Sequence, residues 1–360
     1  MTIERESVSS KPDQNRSHPR GGEVLVGSEV IPTAGQYPVE RTHLSMSDST
    51  SFLSVPARQG FGMITESALS ILRVLAVHYV LCRPQIQRIC FAQHASGRTT
   101  RKHLSKLHRG GYLNKTRAEV PSPLGGSAFP FYYLSAKGAE LLASYYDDPT
   151  YLAVNTKRPR ADQLYHWCGI GNTHIAISEA LSHHVEVELL SWRNEWETVN
   201  KEDHPGERYC LHSVLRESPP LSCSPDFGFV LGVADSLNGS GNWVSQVYYG
   251  EQDQNTSGVR SIAARKTPGY HELFARGGGK NRHFPEATLP GFRVLMVTTH
   301  PGRRNNLARA IADKPGADLW LFVCQEDLTP ENFPYGDVFY DAKGEAGPLV
   351  RAPKAAEAVG

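Results

Sequence analysis

The sequence predicts an α+β protein with two folded regions of different construction. The chain has 360 residues, which is more than one average domain needs. Residues 60–146 carry short apolar periods of helical spacing, followed by strand-like runs on either side of a Pro- and Gly-rich tip. Residues 160–335 alternate between strand and helix patterns, which indicates an α/β region with a mixed sheet.

The two ends of the chain lack any sustained apolar period. Residues 1–59 are rich in Ser, Pro, Gly, Arg and Glu, and residues 336–360 are similar in character. Segments of this kind bury too little apolar surface to fold, so we expect a disordered leader and a loose tail. The polar connector 147–160 contains two prolines and predicts a boundary between the two folded regions.

Charge is distributed unevenly along the chain. The whole sequence is balanced, with 38 Lys and Arg against 37 Asp and Glu. Residues 60–146, in contrast, contain eleven Lys and Arg against three acids, a local net charge of +8. Such an excess favours a polyanionic partner, of which double-stranded DNA is the obvious example.

Composition also bears on the compartment. No apolar run is long enough to cross a bilayer, and no apolar segment follows the early charges as it does in a secretory signal. The six cysteines are scattered, without a CxxC pair or zinc-ligand spacing. We therefore expect reduced thiols in a cytoplasmic protein that has no membrane partner.

Three short helices are predicted at the start of the first region. The first is Thr65–Leu81, whose apolar residues fall on one face and whose first residue suits an N-cap. The second is Pro84–Phe91, which begins with the proline that a first helical turn accepts. The third is Gly97–Arg109, and the two glycines that follow it are a stop signal.

The third predicted helix has two unlike faces. Thr100, Leu104 and Leu107 share a thin apolar stripe, while the opposite face is broad and basic. Such a helix can dock on a small core and enter a major groove, where its side chains reach base edges and phosphates. The candidate DNA-contacting residues, two of them beyond the helix, are Arg98, Thr99, Arg101, Lys102, Ser105, Lys106, Arg109, Lys115 and Arg117.

A β-hairpin is predicted after the third helix. Its strands are Tyr112–Lys115 and Phe131–Leu134, and Ser135 can cap a last helix, Ala136–Tyr145. Three helices followed by such a hairpin predict a winged helix-turn-helix that binds double-stranded DNA. A surface that docks another protein is the alternative for this arrangement.

The second region has the predicted order αβββαβαβ, typical of helices packed around a mixed sheet. The elements are helix Leu164–Ser182, strand Val185–Trp192, a polar loop, strands Asp226–Val233 and Trp243–Gly250, helix Asn255–Phe274 interrupted by Pro268, strand Phe292–Thr298, helix Arg304–Lys314 and strand Asp318–Cys324.

Two acids stand at strand ends in this region. Asp226 enters one strand and Glu251 ends the next, so a hairpin of the two strands brings the carboxylates together. Two convergent carboxylates suit Mg²⁺, the candidate cofactor, which can hold water for attack on a phosphodiester. Lys266 on the following helix can stabilise developing negative charge, and Glu179 and Asp253 are further candidates for the catalytic group.

Two other interpretations of these acids remain open. The region can keep a nuclease-like fold for contact with DNA or a partner without catalysis, and paired acids can also be ordinary surface residues. The element order, with Pro225-Asp226 and Glu251-x-Asp253, resembles the PD-(D/E)xK restriction-endonuclease-like fold. That pattern has a lysine where this sequence has Asp253, so Lys266 would be a migrated substitute.

Over about residues 62–325 the sequence resembles the replication-relaxation family of bacterial plasmids and mobile elements. The segments that carry the resemblance are ILRVLAVHYVL, SGRTTRKHLSKLHRGGYL, FYYLSAKGAELL, Asn172-Thr173-His174, Trp192 with nearby Glu195, Pro225-Asp226, the ExDxxT motif from Glu251, Lys266 before Tyr270, and FRVLMVTTHPGRRNNL. The resemblance implies a DNA-binding protein that controls plasmid or mobile-element replication or relaxation, with replication or mobilisation proteins as further partners. An Mg²⁺-dependent endonuclease and a winged-helix transcription regulator remain as alternatives.

Overall fold

The computed structural model describes residues 64–94, 96–118, 129–199, 208–234, 243–277 and 282–351. The predicted leader 1–59 and most of the hairpin tip lie outside these residues. The described part of the chain is α+β, with seven α-helices and a mixed multi-stranded sheet.

The first region begins with three helices, α1 (Glu66–His78), α2 (Arg83–Cys90) and α3 (Arg98–Arg109). The side chain of Thr65 accepts a hydrogen bond from the backbone N–H of Ala68 and caps α1. After α3, Gly111 adopts a φ of +76°, a conformation that glycine enters without steric cost. These local signals explain why the helix bounds lie close to the predicted ones.

A small antiparallel sheet and a fourth helix complete the first region. The elements are β1 (Leu81–Cys82), β2 (Leu113–Thr116), β3 (Phe131–Leu134) and α4 (Ala136–Tyr146), and the strand order is β1-β3-β2. Ser135 accepts a hydrogen bond from the N–H of Gly138 and caps α4 as predicted. The two-residue strand β1 was not expected from the sequence.

The second region is built on a seven-stranded mixed sheet with the order β4-β7-β8-β9-β10-β11-β12. The strands are β4 (Val187–Asn194), β7 (Phe227–Ala234), β8 (Trp243–Gln252), β9 (Phe292–Thr298), β10 (Trp320–Cys324), β11 (Phe339–Asp341) and β12 (Ala346–Gly347). Strands β8, β9 and β10 are parallel, and the other neighbouring pairs are antiparallel. A separate hairpin consists of β5 (Ser213–Arg216) and β6 (Leu221–Cys223).

Helices cover both faces of this sheet. Helix α5 (Leu164–Leu181) contributes to one buried apolar cluster with residues of β4, β7 and β9. Helices α6 (Val259–Arg276) and α7 (Pro301–Ile311) contribute to a second cluster with β8, β9 and β10. Burial on both faces explains why the central strands read as nearly continuous apolar runs.

The two regions touch through α2 and α5. The side-chain amide of Gln85 donates to the carbonyl oxygen of Cys168 and to the side-chain oxygen of Asn172, at 2.8 Å each. Ile175 of α5 belongs to the same buried apolar cluster as residues of α1 and α4. Helix α5, which covers one face of the sheet, thus also packs against the first region.

The structure corrects three expectations. Residues from 336 onward were expected to be loose, but β11 and β12 extend the sheet, and Phe339 and Leu349 are buried. Strands of three and two residues are too short to show a period, which is why the sequence did not reveal them. The sequence predicted only a polar loop before β7, but this segment holds the β5–β6 hairpin. The sequence also predicted an interruption of the following helix at Pro268, but α6 continues through that residue. Residues 352–360 lie outside the described part.

None of the helices that the structure describes combines the length and the apolar character needed to cross a membrane.

Candidate functional site

Three carboxylates meet where β4 ends, β7 begins and β8 ends. In the antiparallel register Asn194 lies opposite Phe227, which in turn lies opposite Gly250. The next residues outward, Glu195, Asp226 and Glu251, are therefore neighbours at one end of the sheet. The backbone confirms this, since the N–H of Glu195 donates to the carbonyl oxygen of Asp226 at 2.9 Å. The predicted convergence of Asp226 and Glu251 is thus present in the fold.

Lys266 of α6 joins this pair of acids. Its ammonium nitrogen lies 2.6 Å from Oε2 of Glu251 and 3.4 Å from Oδ1 of Asp226, and it donates to the carbonyl oxygen of Ser224 at 3.0 Å. Tyr270, one helical turn further, donates from its hydroxyl to Oε1 of Glu251 at 2.6 Å. The structure therefore brings Asp226, Glu251 and Lys266 together and adds Tyr270.

The surroundings of Glu251 and Asp226 shift the pKa values of these two acids in opposite directions. Burial and the neighbouring Asp226 raise the pKa of Glu251 to about 8. Burial also acts to raise the pKa of Asp226, but Lys266 and His166 outweigh it and hold that pKa below its ordinary value. The pair therefore offers one carboxylate that stays ionised and one that holds a proton more readily.

His166 and Glu195 lie on the other side of Asp226. The Nε2 atom of His166, in the first turn of α5, is 3.4 Å from Oε1 of Glu195 and 3.7 Å from Oδ2 of Asp226. Trp167 donates from its indole nitrogen to Oε1 of Glu195 at 2.6 Å. Burial alone would lower the pKa of His166, but Asp226 and Glu195 outweigh it and raise that pKa to about 9.

Glu179, a predicted member of the site, lies elsewhere. It is ion-paired with Arg88 of α2. It is also 13 residues beyond His166 on the same helix, a distance of roughly 20 Å along the axis. The sequence placed an acid on the correct helix, but the end of that helix next to the carboxylates carries His166 instead.

Asp253 is also held away from the other acids. It forms a two-point ion pair with Arg303 of α7, with distances of 2.7 and 2.9 Å, and both side chains are buried. Its backbone N–H donates to the carbonyl oxygen of Val297. Arg303 neutralises this acid, which fixes the chain after β8 against α7.

The predicted DNA-contacting residues occupy the outer surface of the first region. Thr100, Leu104 and Leu107 of α3 are buried, as the stripe predicted. The basic residues opposite them are exposed, Thr99 is half-buried and Ser105 is exposed. Among the described residues no acidic partner pairs with the basic members of this set, namely Arg98, Arg101, Lys102, Lys106, Arg109, Lys115 and Arg117.

The sequence did not assign His166, Glu195, Tyr270 or Arg303 to the site, although Glu195 and Tyr270 are among the residues that carry the family resemblance. Local signals for two of them existed. Glu195 directly follows a strand, as the chosen acids do, and His166 stands in the first turn of a helix that precedes that strand. Tyr270 and Arg303 could be identified only from the packing of α6 and α7 against the sheet.

Comparison with known proteins gives one family. A family model described as replication-relaxation matches residues 72–286, which is more than half of the chain. Comparison with curated proteins and with solved structures gives no match. The match takes in α5 and the three acids at the sheet end, together with α2, α3, α4 and the hairpin. This chain therefore belongs to the replication-relaxation family, which supports a role in replication or relaxation.

Proposed function

We propose that the protein binds double-stranded DNA through α3, in the control of plasmid or mobile-element replication. The observation that carries the proposal is the outer face of α3, with five exposed basic side chains and no acid in the helix. These residues are Arg98, Arg101, Lys102, Lys106 and Arg109. Within the described residues none of these cations forms an ion pair, so no such pair has to be broken when a phosphate binds.

The dimensions of α3 suit a groove. Its 12 residues span about 18 Å, and its buried stripe leaves the opposite side free to enter a major groove about 12 Å wide. On this proposal residues 64–146 form a winged helix-turn-helix. Lys115 and Arg117, which leave the hairpin on its exposed side, would add contacts to the DNA backbone.

The test is a triple variant, Arg101→Ala/Lys102→Ala/Arg109→Ala, in a fluorescence-anisotropy titration with duplex DNA at several salt concentrations. We expect affinity to fall at least about tenfold, and the slope of log affinity against log salt to fall by about one for each lost phosphate contact. The matched control is Arg260→Ala/Arg265→Ala/Arg309→Ala, which removes the same charge from exposed positions on α6 and α7. If both variants lost the same affinity for DNA, the loss would come from net charge alone, and the proposal would be refuted.

A second candidate function is cleavage of a DNA strand by the second region, with its fold serving as a restriction-endonuclease-like scaffold. The observation that favours it is the convergence of Lys266 with Asp226 and Glu251. A lysine beside buried acids can stabilise the negative charge that develops on a phosphate during strand scission. A divalent cation, when bound, would supply an activated water for such a reaction.

Cleavage is tested with supercoiled plasmid, incubated with the protein in Mg²⁺ and separately in Mn²⁺. Nicking that disappears in an Asp226→Ala/Glu251→Ala variant, while duplex binding in the same samples is retained, supports an enzyme. Binding without cleavage in either metal leaves the first proposal as the function and rejects the second.

A further inference from the structure

We propose that His166, Glu195 and Asp226 form a binding site for a first-row transition-metal dication such as Mn²⁺ or Zn²⁺. This site differs from the Asp226–Glu251 pair that the sequence suggested for Mg²⁺. It shares Asp226 with that pair but lies on the opposite side of the carboxylate, toward α5 and the end of β4. The inference deepens the second candidate function, and it depends on that function only for what the ion would do.

The Asp226–Glu251 pair does not fit a cation in the arrangement observed. Both oxygens of Glu251 are engaged, since Lys266 approaches each and Tyr270 donates to Oε1. The Lys266 ammonium already supplies the positive charge between the two carboxylates. A dication placed there would have to displace that ammonium and meet its repulsion.

The spacing of the three other groups is that of ligands around one ion. Two atoms bound to a metal at about 2.1 Å with tetrahedral angles lie about 3.4 Å apart. The Nε2 atom of His166 lies 3.4 Å from Oε1 of Glu195 and 3.7 Å from Oδ2 of Asp226. One ligand atom from each residue can be chosen so that all lie within 4.8 Å of one another. These separations are long for strong hydrogen bonds but leave room for an ion between the atoms.

Neighbouring groups hold two of the three ligands in place. The backbone N–H of Gln252 donates to Oδ2 of Asp226 at 2.8 Å, and the indole of Trp167 donates to Oε1 of Glu195 at 2.6 Å. Hydrogen bonds of this kind orient metal ligands and raise the affinity of their sites. Asp226 is 12% exposed, His166 21% and Glu195 31%, so the site is walled by protein and still open to a water molecule or a phosphate oxygen.

The chemistry of the donors selects the metal. One imidazole nitrogen and two carboxylates suit Mn²⁺ or Zn²⁺, whereas Mg²⁺ prefers oxygen ligands alone and keeps most of its water. His166 gives up its Nε2 proton when the ion binds, and the neutral imidazole with the two carboxylates then balances the charge of a dication. An ion here would lie beside Asp226, on the side away from Lys266, so that a phosphate could reach both cations.

The test is Mn²⁺ binding to the full-length protein, measured by the electron paramagnetic resonance signal of free Mn²⁺ during titration. We expect one ion per chain in the unmodified protein and in the control His271→Gln, which changes an exposed histidine of α6. His166→Gln and Glu195→Gln should each bind at least about tenfold more weakly. Circular dichroism identifies a variant that has lost its fold, and His166→Asn then replaces it.

A second readout uses the indole next to the site. Mn²⁺ should quench part of the tryptophan emission over the same concentration range. Trp167→Phe should reduce that part, because it removes the indole that contacts Glu195 and the hydrogen bond that orients this ligand. A tenfold excess of Mg²⁺ should not prevent the quenching. Equal Mn²⁺ binding by the unmodified protein and both ligand variants overturns the proposal, as does equal competition by Mg²⁺.

Failure of this proposal is distinguishable from failure of the proposed functions. Duplex binding by α3 is measured without metal, and His166→Gln should leave it unchanged. If Mn²⁺ binds at His166 but no plasmid is cleaved, the second candidate function is rejected and the metal site stands.

Discussion

The ammonium nitrogen of Lys266 lies 2.6 Å from Oε2 of Glu251, in contact with a carboxylate that is only 4% exposed. This lysine comes from a helix that starts eight residues after Glu251 and packs on one face of the sheet. The ion pair therefore connects α6 to β8 as well as neutralising one of two adjacent acids. We therefore expect removal of this ion pair to lower the free energy of unfolding.

Replacement of Lys266 by Met should lower the free energy of unfolding by about 3 kcal/mol, because it leaves buried Glu251 without its cation and Asp226 with His166 alone. Urea denaturation followed by circular dichroism measures the change. The double variant Glu251→Gln/Lys266→Met should recover most of the loss, since it removes the uncompensated charge. Lys343→Met, at an exposed position, is the control, and an equal effect there would contradict the argument.

The Asp253–Arg303 pair has a structural role that the sequence motif concealed. Both side chains are less than a tenth exposed, so Asp253→Asn should cost about 3 kcal/mol by leaving a buried guanidinium unpaired. Asp313→Asn breaks an ion pair with Lys314 at the surface and should cost less than about 1 kcal/mol. Thermal unfolding of both variants measures whether Asp253→Asn loses more stability than Asp313→Asn. A stable Asp253→Asn variant that has lost only activity would instead restore this acid to the catalytic group.

Sequence patterns predicted most of the fold but only half of the candidate site. Helices α1 to α7 and the strands β2 to β4 and β7 to β10 follow from local periods and caps, since those signals lie within each segment, although the β5–β6 hairpin between β4 and β7 was not predicted. Glu179 lies away from the other acids, because a period shows which face of α5 is buried and not which end meets the acids. The ion pair of Asp253 could not be predicted, because its partner Arg303 is 50 residues away and belongs to a different element.

A buried histidine provides a pH test of the second region. His283 is 1% exposed, and its ring nitrogens are hydrogen-bonded to Ser213 and Tyr249. Burial, with the nearby Arg282 and Arg193, lowers the pKa of His283 to about 3. The unfolded chain takes up a proton at this residue below pH 6.5 and the folded chain does not, so this group makes stability fall as pH drops from 6.5 toward 3.

The comparison is with His283→Gln, which can hydrogen-bond but cannot take up this proton. Between pH 6.5 and about 3, the unmodified protein should lose stability relative to the variant by about 1.4 kcal/mol per pH unit. Urea denaturation at half-unit steps of pH measures the difference, in which contributions from other groups cancel. Parallel stability curves over this range would show that His283 is not held neutral by burial.

The placement of α3 depends on a close approach between α4 and the chain that leaves α3. A methyl group on Gly138 would lie 2.2 Å from the carbonyl oxygen of Tyr112, and nearby Ser135 and Lys137 hydrogen-bond to the carbonyl oxygens of Gly111 and Gly110. Gly138→Ala should therefore destabilise the first region by about 2 kcal/mol, because backbone atoms have to move.

Gly258→Ala is the matched control, since a methyl group there meets nothing within 4 Å. It should change stability by less than about 1 kcal/mol. If α4 positions α3 for DNA, the affinity of Gly138→Ala for duplex DNA should also fall more steeply with temperature than that of the control, in anisotropy titrations from 10 to 40 °C. A destabilised variant with unchanged affinity would show that the surface of α3 binds DNA without the support of α4.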